Sequence, residues 1–242
     1  MMIALLLNSG LGSRMGDATR EHPKCMCRLE DEETIFSWQV KLLEGVGVTE
    51  AVVTTGHLAE QLTAYVSQLH TGIRFHFVHN PRHRETNYIY SMYLARELLQ
   101  DDVLLLHGDL VLHPRVIARL AAAPGSSVAV DPSLPLPEKD FKAQLEGRRV
   151  KAIGIDRFGE DCVACQPAYK WLKGDFRRWM EEIARFIESG EERCYAENAF
   201  NAAWREIPLS PLDVRGLLCS EIDNQEDWKL VGERFRREVL GR

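Results

Sequence analysis

The sequence lacks the features that define membrane-spanning proteins, proteins with a signal peptide and general nucleic-acid binders. It has no apolar run near the roughly 20 residues that a membrane-spanning helix needs, and its first seven residues carry neither the basic segment nor the cleavage site of a signal peptide. Basic residues are also in deficit, with 30 Lys and Arg against 36 Asp and Glu. A general nucleic-acid binder needs the opposite balance, because its affinity comes from neutralising phosphates. We therefore expect a cytoplasmic protein that binds neither membranes nor nucleic acid.

The six cysteines lack the spacing of a convincing structural zinc site. Cys25 and Cys27 are separated by one residue, whereas zinc-binding pairs are usually separated by about two to four. Cys162 and Cys165 have an acceptable spacing, but both pairs fall within apolar, strand-like segments. Reduced thiols are expected in the cytoplasm, and burial as small apolar side chains explains these cysteines better than metal binding.

Short apolar runs alternate with amphipathic segments in the first half of the chain. Four of the runs predict strands and three of the segments predict helices, namely 3–7, 52–55, 73–78 and 103–106 for the strands and 34–47, 57–69 and 87–99 for the helices. This alternation indicates parallel strands joined by right-handed crossovers. We expect an α/β fold with a Rossmann-like, mostly parallel sheet flanked by helices.

The chain changes character after residue 124. Four prolines punctuate the segment 124–137, and short hairpin-like segments follow it. Strands are predicted at 141–146, 150–155 and 162–169, and helices from 175 onward, at 195–204 and at 228–240. We therefore predict a single domain over 1–242, whose second half adds a small antiparallel and helical lobe that covers the substrate.

A glycine-rich segment follows the first predicted strand. Residues 8–16 read Asn-Ser-Gly-Leu-Gly-Ser-Arg-Met-Gly, and such a loop gathers backbone N–H groups that suit phosphate oxygens. Arg14 and Lys24 add two cations. A dinucleotide-binding fingerprint would need glycine in place of Met15 and an acidic residue after the second strand, so an NAD-dependent oxidoreductase is disfavoured. No Walker sequence is present. A purely structural turn is the alternative to an anion site.

Three acidic residues form a second group. Asp109 follows the strand at 103–106, at the sheet edge where open α/β folds bind ligands. Glu221 and Asp223 are two apart in what reads as another strand, so their side chains would share a face. Converging carboxylates repel each other unless a cation lies between them, and oxygen ligands suit Mg²⁺. We predict that these three residues bind Mg²⁺; a loop cap is the alternative for Asp109.

Together these features resemble the sugar-phosphate-type nucleotidyltransferases, and most of all the bacterial CTP:phosphocholine cytidylyltransferases. The signature is the glycine loop with Arg14 and Met15, followed by Pro23-Lys24. Three further segments extend the resemblance over nearly the whole chain, namely Asn-Tyr-Ile-Tyr-Ser at 87–91, Gly-Asp at 108–109 and Glu-Ile-Asp at 221–223. The resemblance implies the nucleotide-diphospho-sugar transferase type of fold, with a nucleotide-binding half at 1–123 and an acceptor-binding half at 124–242.

The resemblance also implies an activity and a set of site residues. The activity is Mg²⁺-dependent transfer of CMP from CTP to a small phosphorylated acceptor, most of all phosphocholine, with release of pyrophosphate. Lys24 and Arg14 would be catalytic. The nucleotide would be bound by Asn8, Ser9, Gly10, Leu11, Gly12, Ser13, Gly56, Asn87 and Ser91. The oligomeric state stays open, with a homodimer as one option.

The acceptor would be bound in the second half of the chain. Asp140 and Lys142 resemble a segment in which the lysine faces the acceptor phosphate. Tyr169, Tyr195 and Glu197 offer aromatic faces and a negative charge, which suit a quaternary ammonium group. For the aromatic residues, ordinary core packing is the alternative.

Two departures from the family pattern leave questions open. Asn8 and Ser9 stand where alanines are usual, and His107-Gly108-Asp109 stands where some relatives carry Asp-x-Asp. The number of metal ions is therefore open, and His107 is not assigned as a ligand. Alternative acceptors are a sugar 1-phosphate, a polyol phosphate or aminoethylphosphonate, with CTP or UTP. A non-catalytic nucleotide-binding module is the alternative from another class.

Overall fold

Within residues 2–242, which the computed structural model describes, there are thirteen strands and seven α-helices. The strands are β1 (Met2–Asn8), β2 (Arg28–Glu30), β3 (Glu33–Thr34), β4 (Glu50–Thr55), β5 (Arg74–His79), β6 (Asp102–His107), β7 (Leu110–Leu112), β8 (Ser127–Asp131), β9 (Lys142–Glu146), β10 (Arg149–Gly154), β11 (Cys162–Trp171), β12 (Ser210–Asp213) and β13 (Cys219–Glu221). The helices are α1 (Ile35–Gly45), α2 (Ala59–Val66), α3 (Tyr88–Ala95), α4 (Pro114–Ala122), α5 (Lys173–Glu188), α6 (Ala196–Ala202) and α7 (Gln225–Phe235). Among the described residues, no helix combines the length and apolar character that crossing a bilayer requires.

Nine of the strands form one sheet with a parallel and an antiparallel part. Its order is β10-β9-β11-β6-β1-β4-β5, with β8 beside β11 and β12 beside β8. The pairs β1–β4, β1–β6 and β4–β5 are parallel, whereas β11 runs antiparallel to β6, β8 and β9. The predicted α/β fold, with parallel strands followed by an antiparallel extension, is confirmed.

Strand β1 lies between two hydrophobic cores. Ile3, Leu5 and Leu7 belong to one core, and Ala4 and Leu6 to the other, because successive side chains of a strand point to opposite faces. Burial on both faces explains why this strand is a continuous apolar run rather than an alternating one.

The predicted start of α1 is confirmed in detail. Thr34 Oγ1 accepts a hydrogen bond from the Ser37 backbone N–H at 3.0 Å, and Ser37 Oγ accepts one from the Thr34 N–H at 2.9 Å. This reciprocal capping box satisfies two backbone donors that a helix start would otherwise leave unpaired.

Several elements differ from the sequence-based expectations. Helix α2 covers only part of the predicted 57–69 segment. The strands β2, β3, β7, β8 and β12 and the helix α4 were not predicted. Strand β13 ends at Glu221, so Asp223 lies beyond it rather than on the same strand. The chain leaves the strand after pairing Glu221 with Leu110, and Asp223 then takes its position from the loop that leads into α7.

Candidate active site

Two adjoining cavities lie where β1 and β6 end. The larger cavity has a volume of about 430 Å³ and is lined by the glycine loop together with Lys24. The smaller cavity, of about 260 Å³, is lined by Tyr88, Asp140 and Tyr195 among others. The residues that line both cavities are Arg14, Asn87, Asp109 and Asp223. Two ligands could therefore lie end to end, with their junction at these shared side chains.

Close backbone packing brings the glycine loop to the acidic residues. A Cβ at Gly108 would lie 1.9 Å from Asn8 Oδ1 and 2.7 Å from the Leu7 carbonyl oxygen, so only glycine fits there. The Gly108 N–H donates to that carbonyl at 3.0 Å. This contact holds the end of β6 against the end of β1 and places Asp109 beside the loop.

Cations and carboxylates meet at the junction of the cavities. Lys24 Nζ donates to Asp109 Oδ2 at 2.6 Å and to Asp223 Oδ1 at 2.7 Å. Arg14 Nη1 lies 3.0 Å from the other oxygen of Asp223. The side chain of Lys24 is only 14% exposed, whereas that of Arg14 is 67% exposed. The structure thus brings together four side chains that the sequence places as far as 209 positions apart.

The buried part of this cluster stays ionised. Burial lowers the pKa of Lys24, but Asp109 and Asp223 outweigh it, so the pKa lies above its usual value. Burial likewise raises the pKa of Asp109, and Lys24 followed by His107 outweighs that effect, so the net shift is downward. Lys24 therefore remains an ammonium at neutral pH and can act by charge rather than as a base.

Glu221 is in a different electrostatic position. Burial and repulsion by Asp109 raise its pKa to about 7, although a hydrogen bond from His107 acts in the opposite direction. His107 Nδ1 lies 3.3 Å from Glu221 Oε1. Burial lowers the pKa of His107, but this bond outweighs burial and the net pKa is raised.

The residues fit a divalent cation. The Lys24 ammonium lies between one oxygen of Asp109 and one of Asp223, so these carboxylates already converge on a positive charge. Converging carboxylate oxygens are the ligands that Mg²⁺ prefers. The ligand atoms of His107, Asp109 and Glu221 also lie within 4.8 Å of one another. His107 is not assigned as a ligand from the sequence, although it stands two residues before Asp109 at a position where some relatives carry an acid.

The predicted nucleotide-binding residues separate into two groups. Residues that line the larger cavity are Asn8, Gly10, Leu11, Gly12, Ser13 and Asn87. Ser91 is corrected to a supporting role, because it is fully buried and donates to Ser9 Oγ at 2.8 Å. Ser9 and Gly56 also lie behind the cavity wall, where a Cβ at Gly56 would be 2.5 Å from the Ser9 carbonyl oxygen.

Of the predicted acceptor residues, Asp140 and Tyr195 line the smaller cavity. Lys142 does not, because its buried Nζ donates to the Pro137 carbonyl oxygen at 2.6 Å. Tyr169 is also misassigned: its ring is fully buried beside Trp171, with ring centres 5.9 Å apart.

Glu197 lies behind the smaller cavity. It is 1% exposed and accepts hydrogen bonds from the hydroxyls of Tyr169 and Tyr88, so it is corrected to a supporting position. Tyr88, Lys139 and Phe141 line the smaller cavity and were not predicted as acceptor residues. Their role could not be read from the sequence, because the cavity wall combines the start of α3 with the loop around residue 140, which are far apart in the chain.

The fold and the cavities define a class of protein: an open α/β protein in which a glycine loop with two cationic side chains faces a group of carboxylates at the sheet edge. The chain belongs to the MobA-like NTP transferase domain family, which matches residues 4–138. The resemblance to nucleotidyltransferases is therefore confirmed.

Two curated relatives extend over almost the whole chain. A CMP-5'-(3-aminopropyl)phosphonate synthase of Streptomyces rubellomurinus is 42% identical over 96% of this chain, which spans only 38% of that relative's length. A choline-phosphate cytidylyltransferase of Streptococcus pneumoniae is 28% identical over 98% of this chain and 100% of its own. A solved structure of CTP:phosphocholine cytidylyltransferase from Streptococcus pneumoniae has a TM-score of 0.80, with 19% identity and coverage of 96% of this chain and 98% of its own. That similarity confirms the fold.

Proposed function

We propose that the protein is a Mg²⁺-dependent cytidylyltransferase that transfers CMP from CTP to a small acceptor bearing a phosphate or phosphonate group. The observation that carries this proposal is the contact of Lys24 and Arg14 with Asp109 and Asp223 where the two cavities join. CTP would bind in the larger cavity and the acceptor in the smaller one. The activities for which both relatives are named support a cytidylyl product.

In this proposal the protein acts by positioning and charge. The attacking phosphate or phosphonate oxygen is already an anion, so no general base is needed. Lys24 and Arg14 offset charge on the α-phosphate as pyrophosphate leaves. Asp109 and Asp223 would hold Mg²⁺, which when bound supplies further charge neutralisation at the phosphates. Two cavities that share lining residues would hold the reacting groups close together, in the orientation that displacement requires.

For the acceptor we propose an aminoalkylphosphonate ahead of phosphocholine. Asp140 lines the smaller cavity, and burial followed by repulsion from Asp223 and Asp227 raises its pKa, so an ammonium group beside it would be stabilised. The relative that is 42% identical is a CMP-5'-(3-aminopropyl)phosphonate synthase. Phosphocholine is the second candidate, because the rings of Tyr88, Phe141 and Tyr195 line the same cavity and suit a quaternary ammonium.

A pyrophosphate-release assay with a matrix of substrates tests this proposal. The four nucleoside triphosphates are each combined with 3-aminopropylphosphonate, 2-aminoethylphosphonate, phosphocholine and glucose 1-phosphate. We expect the highest kcat/KM with CTP and an aminoalkylphosphonate. A higher kcat/KM with phosphocholine would make phosphocholine the acceptor in place of an aminoalkylphosphonate. If none of the four acceptors gave pyrophosphate release, or if release occurred only with UTP and glucose 1-phosphate, the proposal would be contradicted.

A further inference from the structure

The smaller cavity contains a cluster of possible metal ligands that differs from the pair bridged by Lys24. The cluster consists of His107, Asp109 and Glu221, and its ligand atoms lie within 4.8 Å of one another. Ligand atoms bound to one ion at about 2.1 Å are at most about 4.2 Å apart. The separation of the atoms in this cluster therefore exceeds that of a coordinating arrangement by at most about 0.6 Å.

His107 gives an independent indication of a ligand. His107 is 8% exposed, and its Nε2 atom is buried without a hydrogen-bond partner among the described residues. The ring is held edge-on to Tyr88, with ring centres 4.8 Å apart, and it lines the smaller cavity. Nδ1 of the same ring lies 3.3 Å from Glu221 Oε1, so the imidazole already adjoins one of the two carboxylates. Because buried polar atoms are nearly always paired, the unpaired Nε2 indicates that a partner of this ring is missing.

We propose that His107, Asp109 and Glu221 form a second divalent-cation site, distinct from the Asp109–Asp223 site and selective for a first-row transition ion such as Mn²⁺. Asp109 is shared, as carboxylates are in two-metal centres. One imidazole among oxygen ligands favours transition ions over Mg²⁺, which prefers an all-oxygen shell. The smaller cavity is lined by Asp109, Glu221 and Asp223, which would repel an anionic acceptor group. An ion bound at the second site would offset that repulsion. Binding itself does not rest on the proposed transferase reaction.

Electron paramagnetic resonance of Mn²⁺ added to the metal-free full chain tests the site without any enzymatic readout. Pulsed measurements detect coupling between Mn²⁺ and a ligating ¹⁴N nucleus. We expect this coupling in the wild-type protein and in Asp223→Asn, which leaves the proposed ligands unchanged. We expect its loss in His107→Asp. His76 lies on the edge strand β5 and is not one of the proposed ligands. His76→Asp is therefore the control and should keep the coupling.

Isothermal titration of Mn²⁺ and Mg²⁺ gives a second readout. His107→Asp creates an all-oxygen set, so the preference for Mn²⁺ over Mg²⁺, as a ratio of Kd values, should fall by about tenfold or more. Mn²⁺ bound to wild type without ¹⁴N coupling, coupling that survives His107→Asp, or no Mn²⁺ binding at millimolar concentration would each overturn the proposal. A wild-type spectrum without ¹⁴N coupling overturns the proposal even if a variant fails to fold.

The outcome is separable from that of the proposed function. Nitrogen coupling in a protein that releases no pyrophosphate from CTP would support the second site and contradict the transferase. Pyrophosphate release by a protein whose bound Mn²⁺ shows no nitrogen coupling would do the reverse.

Discussion

At the scale of single residues, the proposed transfer reaction depends most on the side-chain amine of Lys24. Its contacts with Asp109 and Asp223 place it at the junction of the two cavities. We expect Lys24→Ala to lower kcat by about a hundredfold or more, since a preorganised charge at the reacting phosphate is lost. The exposed Lys41, which pairs with Glu33, is the matched control, and Lys41→Ala should keep wild-type turnover. Unchanged kcat in Lys24→Ala, with the fold verified by circular dichroism, would refute the role of this lysine.

Asp223 carries the prediction for metal dependence. Its two oxygens contact Lys24 and Arg14, and we propose that they bind Mg²⁺ when substrate is present. Asp223→Asn should therefore lower the rate by about two orders of magnitude and raise the Mg²⁺ concentration needed for half-maximal activity. Asp213→Asn, which removes a carboxylate paired with the exposed Arg215, should leave the Mg²⁺ titration unchanged. A wild-type titration curve for Asp223→Asn would be incompatible with the assignment.

The pair formed by Glu221 and His107 gives a pH prediction. Burial and Asp109 raise the pKa of Glu221 to about 7, and the bond to Glu221 raises the pKa of His107. The folded protein thus binds these protons more tightly than the unfolded chain does, so the stability that they contribute is present at low pH and is lost as pH rises through about 7.

Thermal unfolding of the metal-free protein measures this effect. For Glu221 alone, the free energy of unfolding should fall by about 1 kcal/mol between about pH 6 and about pH 8. Glu221→Gln cannot ionise, so its melting temperature should fall less over the same interval. Parallel curves for the two proteins would show that Glu221 has no raised pKa.

Some residues could be assigned from the sequence and others could not, for physical reasons. Arg14, Lys24 and Asp109 are tied to local features, namely a glycine loop and the end of an apolar strand, so their convergence was predictable. Tyr169 and Lys142 lie on strands β11 and β9, whose side chains at these positions point into the interior. Which face is interior depends on the neighbouring strands, and a single sequence does not contain that information.

At the scale of elements, the junction of β1 and β6 sets the geometry of the site. A Cβ at Gly108 would be 1.9 Å from Asn8 Oδ1, so Gly108→Ala must displace either the side chain or the strand ends. We expect a loss of about 1–3 kcal/mol of stability and a lower kcat, measured by chemical denaturation and turnover. At Gly125 no described atom lies within 4 Å of an added Cβ, so Gly125→Ala is the control. Wild-type stability and wild-type kcat in Gly108→Ala would mean that this packing does not position Asp109.

The success of sequence-based prediction also differs between elements. The run at 3–7 and the helix that Thr34 caps were predicted because each carries a local signal, continuous apolar character or a capping pattern. Strand β12 contains Ser210 and Pro211 and is half exposed, so its sequence carries no such signal. It forms because it lies parallel to β8, a pairing between segments that are far apart in the chain.

At the scale of the whole molecule, one sheet joins the two halves of the chain. Strand β11 of the second half pairs with β6 of the first, and both cavities lie at the edge of that shared sheet. The mixed α/β architecture was predictable from the alternation of strands and helices. The shape of the smaller cavity was not, because it is formed by residues from Arg14 to Asp223. The division into a nucleotide half and an acceptor half stays a prediction.

The most direct test of the central claim is ³¹P nuclear magnetic resonance of the purified protein with CTP, Mg²⁺ and 3-aminopropylphosphonate. Attack of the phosphonate on the α-phosphorus should produce a pair of coupled resonances from a phosphonate–phosphate anhydride, together with one equivalent of pyrophosphate. Unchanged CTP with this and every other acceptor, or hydrolysis to CDP and orthophosphate, would contradict the claim that the two cavities join a nucleotide to an acceptor.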